Sequence, residues 1–302
     1  MRAIDLFAGA GGFSTGAVQA GCEVLWAANH WPEAVAAHAA NHPNTIHLTQ
    51  DLHQADWTKV PAHDILMSSP SCQGFSRARG TDAPRHDTAR STAWAVVSAV
   101  ECHRPPVALV ENVPEFMKWA LFPAWTAAME ALGYAVSPHI LDAADCGVPQ
   151  NRVRLFVVLT RSKAPLKLDI PKLPRVAART VIDFEEGNWS LIDRPGRSPK
   201  TLARVKAGRA AFGDRFLVAY YGSTKGGRSL DRPIGTLTTC DRYGIIDGDR
   251  MRMLNIREAK ALMGFPRDYI LPPDHKTALH LLGNAVCPPE ARVVIEKIKA
   301  AA

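Results

Sequence analysis

Four short stretches carry residue types that do chemistry. Cys72 stands in Ser68-Ser69-Pro70-Ser71-Cys72-Gln73-Gly74-Phe75-Ser76, a polar segment followed by arginines at 77, 79, 85 and 90. A thiol among cations is stabilised as the nucleophilic thiolate, and arginines also grip phosphates; the competing reading is a packed, inert cysteine. Glu111 closes an apolar run in Val110-Glu111-Asn112-Val113-Pro114. Burial there raises a carboxyl pKa and makes it a proton donor, whereas a capping or solvated Glu does no chemistry. In Gln150-Asn151-Arg152-Val153-Arg154, alternate residues of a strand share one face, so Gln150, Arg152 and Arg154 point together. Two arginines on one face suit phosphate or carboxylate recognition, with a solvated edge strand as the alternative. The fourth stretch, Asp5 to Gly16 (DLFAGAGGFSTG), is a glycine-rich turn that lets backbone approach a ligand closely and presents helix N–H groups. It is not the dinucleotide fingerprint, because the last glycine of that pattern falls on Ser14.

Something must hold these loops together. Apolar runs at 2–7, 23–28, 64–68, 107–110, 134–140 and 152–160 read as strands, and segments 33–41, 92–102 and 122–132 show helical spacing. That alternation predicts an α/β fold with a mostly parallel sheet covered by helices on both faces. In such folds ligands bind at the carboxyl ends of the strands, so the loops after those strands are where chemistry is sought. Residues 161–250 differ: Pro, Gly, Arg and Lys are frequent, helical periodicity is poor, and a small loop-rich unit is expected. Helical character returns at 255–263 and 290–301.

The 302-residue chain has a formal charge of +7, and residues 161–250 hold 18 basic and 10 acidic side chains, so the remainder is close to neutral. A basic excess confined to one segment fits a surface facing a polyanion, or else a solvated face. No apolar run approaches the roughly 18–20 residues of a membrane span. The opening MRAIDLFAGAGG enters a strand at once and lacks a secretory leader, so a cytoplasmic location is expected. The six cysteines lie at least 30 residues apart, with no close ligand pair for a metal and no disulfide framework.

In order along the chain, DLFAGAGGFS, the Cys72-Gln73 loop, ENV at 111–113, QNRVR at 150–154, RMLNIREAKALMGFP and LLGNAV resemble the motifs of the cytosine C5 DNA methyltransferases. The resemblance runs from Asp5 to about Lys297, and the family's variable region falls on the basic segment. It implies a Rossmann-like fold dependent on S-adenosylmethionine, with a catalytic and cofactor-binding unit at 1–160, a small target-recognition unit at 161–275, and a C-terminal segment 276–302 returning to the first. It implies methyl transfer to C5 of a flipped-out cytosine in double-stranded DNA, by a monomer without metal. The catalytic positions are Cys72, which adds to C6; Glu111, which protonates or hydrogen-bonds N3; Arg154, which contacts O2; and Arg152, which with Gln150 holds the catalytic loop or the backbone. The cofactor positions are Phe7, Gly9, Gly11, His30, Trp31, Asp51, Leu52, Asn284 and Ala285. The DNA positions are Gln73, Ser76, Arg90, Lys225, Arg228 and Thr236, with Tyr220, Tyr221, Arg232 and Arg242 as further candidates.

Two positions depart from the family pattern. His30 stands where an acidic residue usually holds the ribose hydroxyls, and Ser71 stands where Pro usually precedes the catalytic cysteine. Competing readings are a tRNA cytosine methyltransferase, whose Cys-Phe-Thr signature is absent here, a non-catalytic DNA-binding member of the fold, and an enzyme delivering a different one-carbon group.

Overall fold

The computed structural model describes residues 1–72, 74–75, 84–221 and 224–301, with 84–89 described by backbone alone. The first half of the chain alternates β1 (Arg2–Leu6), α1 (Gly12–Gln19), β2 (Glu23–Asn29), α2 (Pro32–Asn41), β3 (Ile46–Thr49), β4 (Ile65–Ser68), α3 (Pro84–His103), β5 (Val107–Asn112), α4 (Phe122–Ala131), β6 (Ala135–Asp142) and β7 (Val153–Thr160). The seven strands order as β3-β2-β1-β4-β5-β7-β6. β4 and β5 are buried along their whole length, as their unbroken apolar runs require when helices cover both faces. β7 alone runs against its neighbours.

This order places the chemistry. Chain direction along the sheet reverses at β1, with β2 on one side and β4 on the other. Such a switch point opens a crevice at the carboxyl ends of the strands. Leu6, Ser68 and Val110 lie in register across β1, β4 and β5, so the loops after them leave the sheet side by side. Because β7 is antiparallel, its start meets the end of β5: Asn112 pairs with Leu155 and Glu111 with Phe156. Arg154, two residues before Phe156, is therefore a diagonal neighbour of Glu111, within reach of a long side chain.

The later chain forms a second, five-stranded antiparallel sheet in the order β10-β9-β11-β12-β8, from β8 (Ser190–Leu191), β9 (Arg215–Ala219), β10 (Gly227–Arg228), β11 (Tyr243–Asp247) and β12 (Arg250–Met253). Helix α5 (Pro199–Phe212) packs on it, with Gly208 and Gly227 so close to the Phe216 ring that a Cβ on either would collide with it. Much of 161–250 is loop, as expected, and the helix and second sheet within it are what the sequence reading missed. The missed helix has only a weak apolar stripe, but it carries Ser198 as N-cap, Pro199 in the first turn and Gly213 at φ +75° after its end. Within α6 (Ile256–Leu262), Glu258 closes a capping box with Asn255 and takes both guanidinium nitrogens of buried Arg252 at 2.7 Å. The RMLNIREAKALMGFP stretch is, in this fold, a structural knot.

The C-terminal segment returns to the first sheet. Helix α8 (Pro288–Ala301) lies against α1, where a Cβ at Gly16 would stand 2.6 Å from Ala291 Cβ and from the Pro288 carbonyl. Helix α7 (His275–Asn284), capped by Asp274, precedes it.

Candidate active site

A cavity of about 370 Å³ opens at the switch point, lined by loops, strand ends and helices. Phe7 and Gly9 come from the loop after β1, and Asn29, His30 and Trp31 from the end of β2. Ser71 and Cys72 come from the loop after β4, and Glu111, Arg152 and Arg154 from the meeting of β5 and β7. Thr92 of α3 and His280, Leu281 and Asn284 of α7 complete the wall. Phe7 has φ +61°, a conformation that costs a bulky residue on the order of 1–3 kcal/mol. That strain sits at the first cavity residue after β1.

The acidic corner is a buried ion pair. Glu111 is 6% exposed, and its Oε1 lies 3.1 Å from Arg154 Nε. Burial pushes the Glu111 carboxyl up, with Arg154 and then Arg152 pulling it back. The thiol of Cys72 is pushed up by burial, pulled down by Arg154, and pushed up again by Glu111. Among the described residues Arg154 and Arg152 are the cations acting on Cys72, and desolvation outweighs them; of the arginines that follow Cys72, the side chains of Arg77, Arg79 and Arg85 lie outside the described residues. Among the following arginines, Arg90 donates to the Gly74 carbonyl at 3.0 Å, holding the loop.

Arg152 is 1% exposed and donates to the carbonyls of Leu237 (3.2 Å), Gly283 (2.9 Å) and Ala285 (2.7 Å). Burial brings its guanidinium down to about 10. Gln150 donates to the Leu262 carbonyl and accepts from the Leu237 N–H at 2.7 Å. Gln150 lies outside β7, which begins at Val153, and with Arg152 it ties the first sheet to the later chain. Arg152 and Arg154 share the cavity wall, and Arg154 pairs with Glu111.

Other expected cofactor positions lie off the cavity wall. Gly11, at φ +81°, is the buried N-cap of α1, packed under the Tyr269 hydroxyl. Asp51 turns to cap the next turn, accepting from the His53 backbone and ring, and Leu52 is buried in the core. Ala285 is buried and offers its carbonyl to Arg152. Phe7, Gly9, His30, Trp31 and Asn284 do line the cavity. Gln73 and Ser76 lie outside the described residues. Thr236 donates to the Asn151 carbonyl, and its own carbonyl accepts from Tyr221.

Sequence reading missed Thr92 and His280. The His280 ring packs edge-on to Trp31, with centroids 5.1 Å apart. The signal was the four-residue spacing of His280 and Asn284, which places both on one face of α7 once Asp274 is read as its cap.

Within 161–250 much of the basic excess is neutralised at home. Arg175, Arg179, Arg209, Arg215 and Arg250 each pair with an aspartate. Among the described residues, Lys225, Arg228 and Arg232 pair with no carboxylate, and all three are exposed. Arg228 and Arg232 border a second cleft of about 600 Å³ with Asn151 and Ile234, beside Thr236. Among the described residues, no group of three or more His, Cys, Asp or Glu forms a metal cradle, and no helix is long and apolar enough to cross a membrane.

Comparison with known proteins agrees with this geometry. The chain is 26% identical over 310 residues to the type II methyltransferase M.MspI of Moraxella sp, covering 99% of this chain and 70% of that protein. To M.NlaX of Neisseria lactamica it is 28% identical, covering 99% and 96%. In fold it superimposes on Spodoptera frugiperda DNMT2 with a TM-score of 0.71 at 16% identity over 99% of each chain. The C-5 cytosine-specific DNA methylase model matches residues 1–300, and the chain belongs to that family of DNA cytosine-C5 methyltransferases.

Proposed function

We propose that the switch-point cavity holds S-adenosylmethionine at its β1–β2 side and a flipped cytosine of double-stranded DNA over Cys72. The observation that carries this reading is convergence: Cys72, Glu111 and Arg154 line the same cavity as Phe7, Gly9 and Trp31. The cofactor side suits a nucleoside. A Cβ at Gly9 would meet only the Phe7 carbonyl, at 3.8 Å, so backbone is left open to a ligand, and Trp31 offers an aromatic face. The cavity volume falls in the range of small-molecule sites. His30 and Asn29 sit beside Trp31, and in this chain they put hydrogen-bonding groups without a negative charge where the family usually has an acidic residue at the ribose. When bound, the cofactor supplies an electrophilic methyl group.

The chain's own residues make cytosine able to take it. C5 is a weak nucleophile until another nucleophile adds at C6. Cys72 gives up its proton to water, Sγ bonds to C6, and the displaced electron pair moves toward N3 and O2. Glu111, whose carboxyl burial pushes up, delivers a proton to N3, and Arg154 faces the charge developing at O2. With the methyl group on C5, the C5 proton is lost to water, its electron pair restores the C5–C6 double bond, the Sγ–C6 bond breaks to release the Cys72 thiolate, and N3 returns its proton to Glu111. The pair is poised for this, because Arg154 stabilises Glu111 once its proton has left.

Base flipping costs a few kcal/mol and is offset by contacts to the backbone. We assign that role to Arg90 of α3, and DNA reading to the 161–275 unit, where Lys225, Arg228 and Arg232 are exposed and pair with no carboxylate among the described residues. Gln73 and Ser76 belong to the same proposal. The test is Cys72→Ala: methyl transfer to DNA is abolished while DNA binding persists. Turnover by this variant overturns the assignment.

A further inference from the structure

The segment bearing Cys72 is clamped on both sides by side chains from other elements. The Pro70 carbonyl accepts from Asn112 Nδ2 at 2.9 Å, and Asn112 is buried at the end of β5. The Ser71 N–H donates to Thr92 Oγ1 at 3.0 Å, across 21 residues, from the loop to α3. Beyond Cys72, the Phe75 N–H closes on the Cys72 carbonyl at 3.0 Å, and the Phe75 ring packs edge-on against Phe116. Asn112 thus fixes the peptide before Ser71, and Thr92 fixes the N–H of Ser71 itself, one residue from the thiol. Thr92 also lines the cavity. This bond exists only because residue 71 has an N–H; a proline there would have none.

We propose that Thr92 is a positioning residue for Cys72: its hydroxyl holds the Ser71 N–H and so fixes the rotation of the backbone that aims Sγ at C6. The proposal rests on the reading of Cys72 as the nucleophile. Reacting atoms must meet at about 3–3.5 Å, and a displacement near 1 Å can cost about 100-fold in rate. A threonine-to-valine change keeps the shape and removes the hydroxyl, leaving the loop free to turn its N–H to water.

The experiment measures single-turnover methylation and covalent trapping on DNA containing 5-fluorocytosine, whose C5–F bond blocks release of the thiol. Cofactor and DNA affinities and thermal midpoints are measured alongside. Thr92→Val should slow turnover and trapping by roughly 10- to 100-fold with both affinities within about twofold of wild type. Thr92→Ser, which keeps the hydroxyl, should recover to within about threefold. In a Ser71→Pro background, where the N–H is already gone, adding Thr92→Val should cost less than about twofold. Wild-type trapping rates in Thr92→Val, equal slowing by Thr92→Ser, or an undiminished effect of Thr92→Val in the Ser71→Pro background would each overturn the proposal. If Ser71→Pro does not fold, the valine and serine variants decide alone. If wild-type protein forms no adduct at Cys72, the nucleophile reading itself falls and takes the Thr92 role with it.

Discussion

Glu111→Gln probes the acid of the proposed site with little disturbance around it. Glu111 is 6% exposed, and Oε1 lies 3.1 Å from Arg154 Nε. A glutamine keeps an oxygen at that place to accept from Arg154, fills the same volume, and adds no buried charge. What it lacks is the transferable proton. General acid catalysis contributes about 10²–10⁴ in rate, equal to about 3–5 kcal/mol on the barrier at roughly 1.4 kcal/mol per tenfold. Single-turnover methylation should fall by that factor, and cofactor and DNA affinities should hold. The pH profile adds a second reading. Burial raises the Glu111 carboxyl above its ordinary range, so its protonated fraction falls as pH rises through the shifted value. The wild-type rate should carry that descending limb, and Glu111→Gln should lack it. A variant within tenfold of wild type, or one that keeps the limb, would refute the proton-donor role.

Two further perturbations separate stability from DNA binding. Glu290 is fully buried in the first turn of α8, neither carboxyl oxygen has a partner among the described residues, and burial pushes it up to about 8. The folded state therefore favours the neutral acid, and stability falls as pH rises from the ordinary value near 4.5 through about 8. Glu290→Gln should gain on the order of 3 kcal/mol over wild type at pH 7, by denaturant unfolding, and little at pH 4.5; a pH-independent difference would refute the burial of an ionisable group there. Arg228→Ala or Lys225→Ala should weaken DNA binding at all sequences and lower the salt-dependence slope by about one per residue, with unfolding unchanged. An unchanged slope would place these side chains away from phosphates.

Much of this site was legible before the fold. Cys72 and Glu111 were found because each follows an apolar run, and a parallel sheet collects such ends at one edge; Arg154 opens its run and joins them because β7 is antiparallel. The six strands read from apolar runs are all present, each within two residues of its expected ends. β3 escaped because it is four residues long at the sheet edge, with Ile46 and Leu48 exposed. α1 hid behind its glycines, which are there because α8 and the Val286 carbonyl crowd Gly16 and Gly12. Gln150 and Arg152 were expected to share a strand face with Arg154 and, from the family resemblance, to hold the catalytic loop or the backbone; in the fold both bond to backbone. Their partners at 237, 262, 283 and 285 are distant in sequence, and only the return of the C-terminal segment reveals them. Thr92 was invisible for the same reason, since a hydroxyl in mid-helix signals nothing until the loop it holds is in place.

The central claim is that Cys72 forms the bond to cytosine. The direct test is to incubate the protein with S-adenosylmethionine and duplex DNA carrying 5-fluorocytosine at its methylation site, digest the product, and map the modified peptide by mass spectrometry. A nucleotide adduct on the peptide containing Cys72, absent from Cys72→Ala, is the predicted result. Methylated DNA without an adduct at Cys72, or an adduct at another cysteine, would contradict the account.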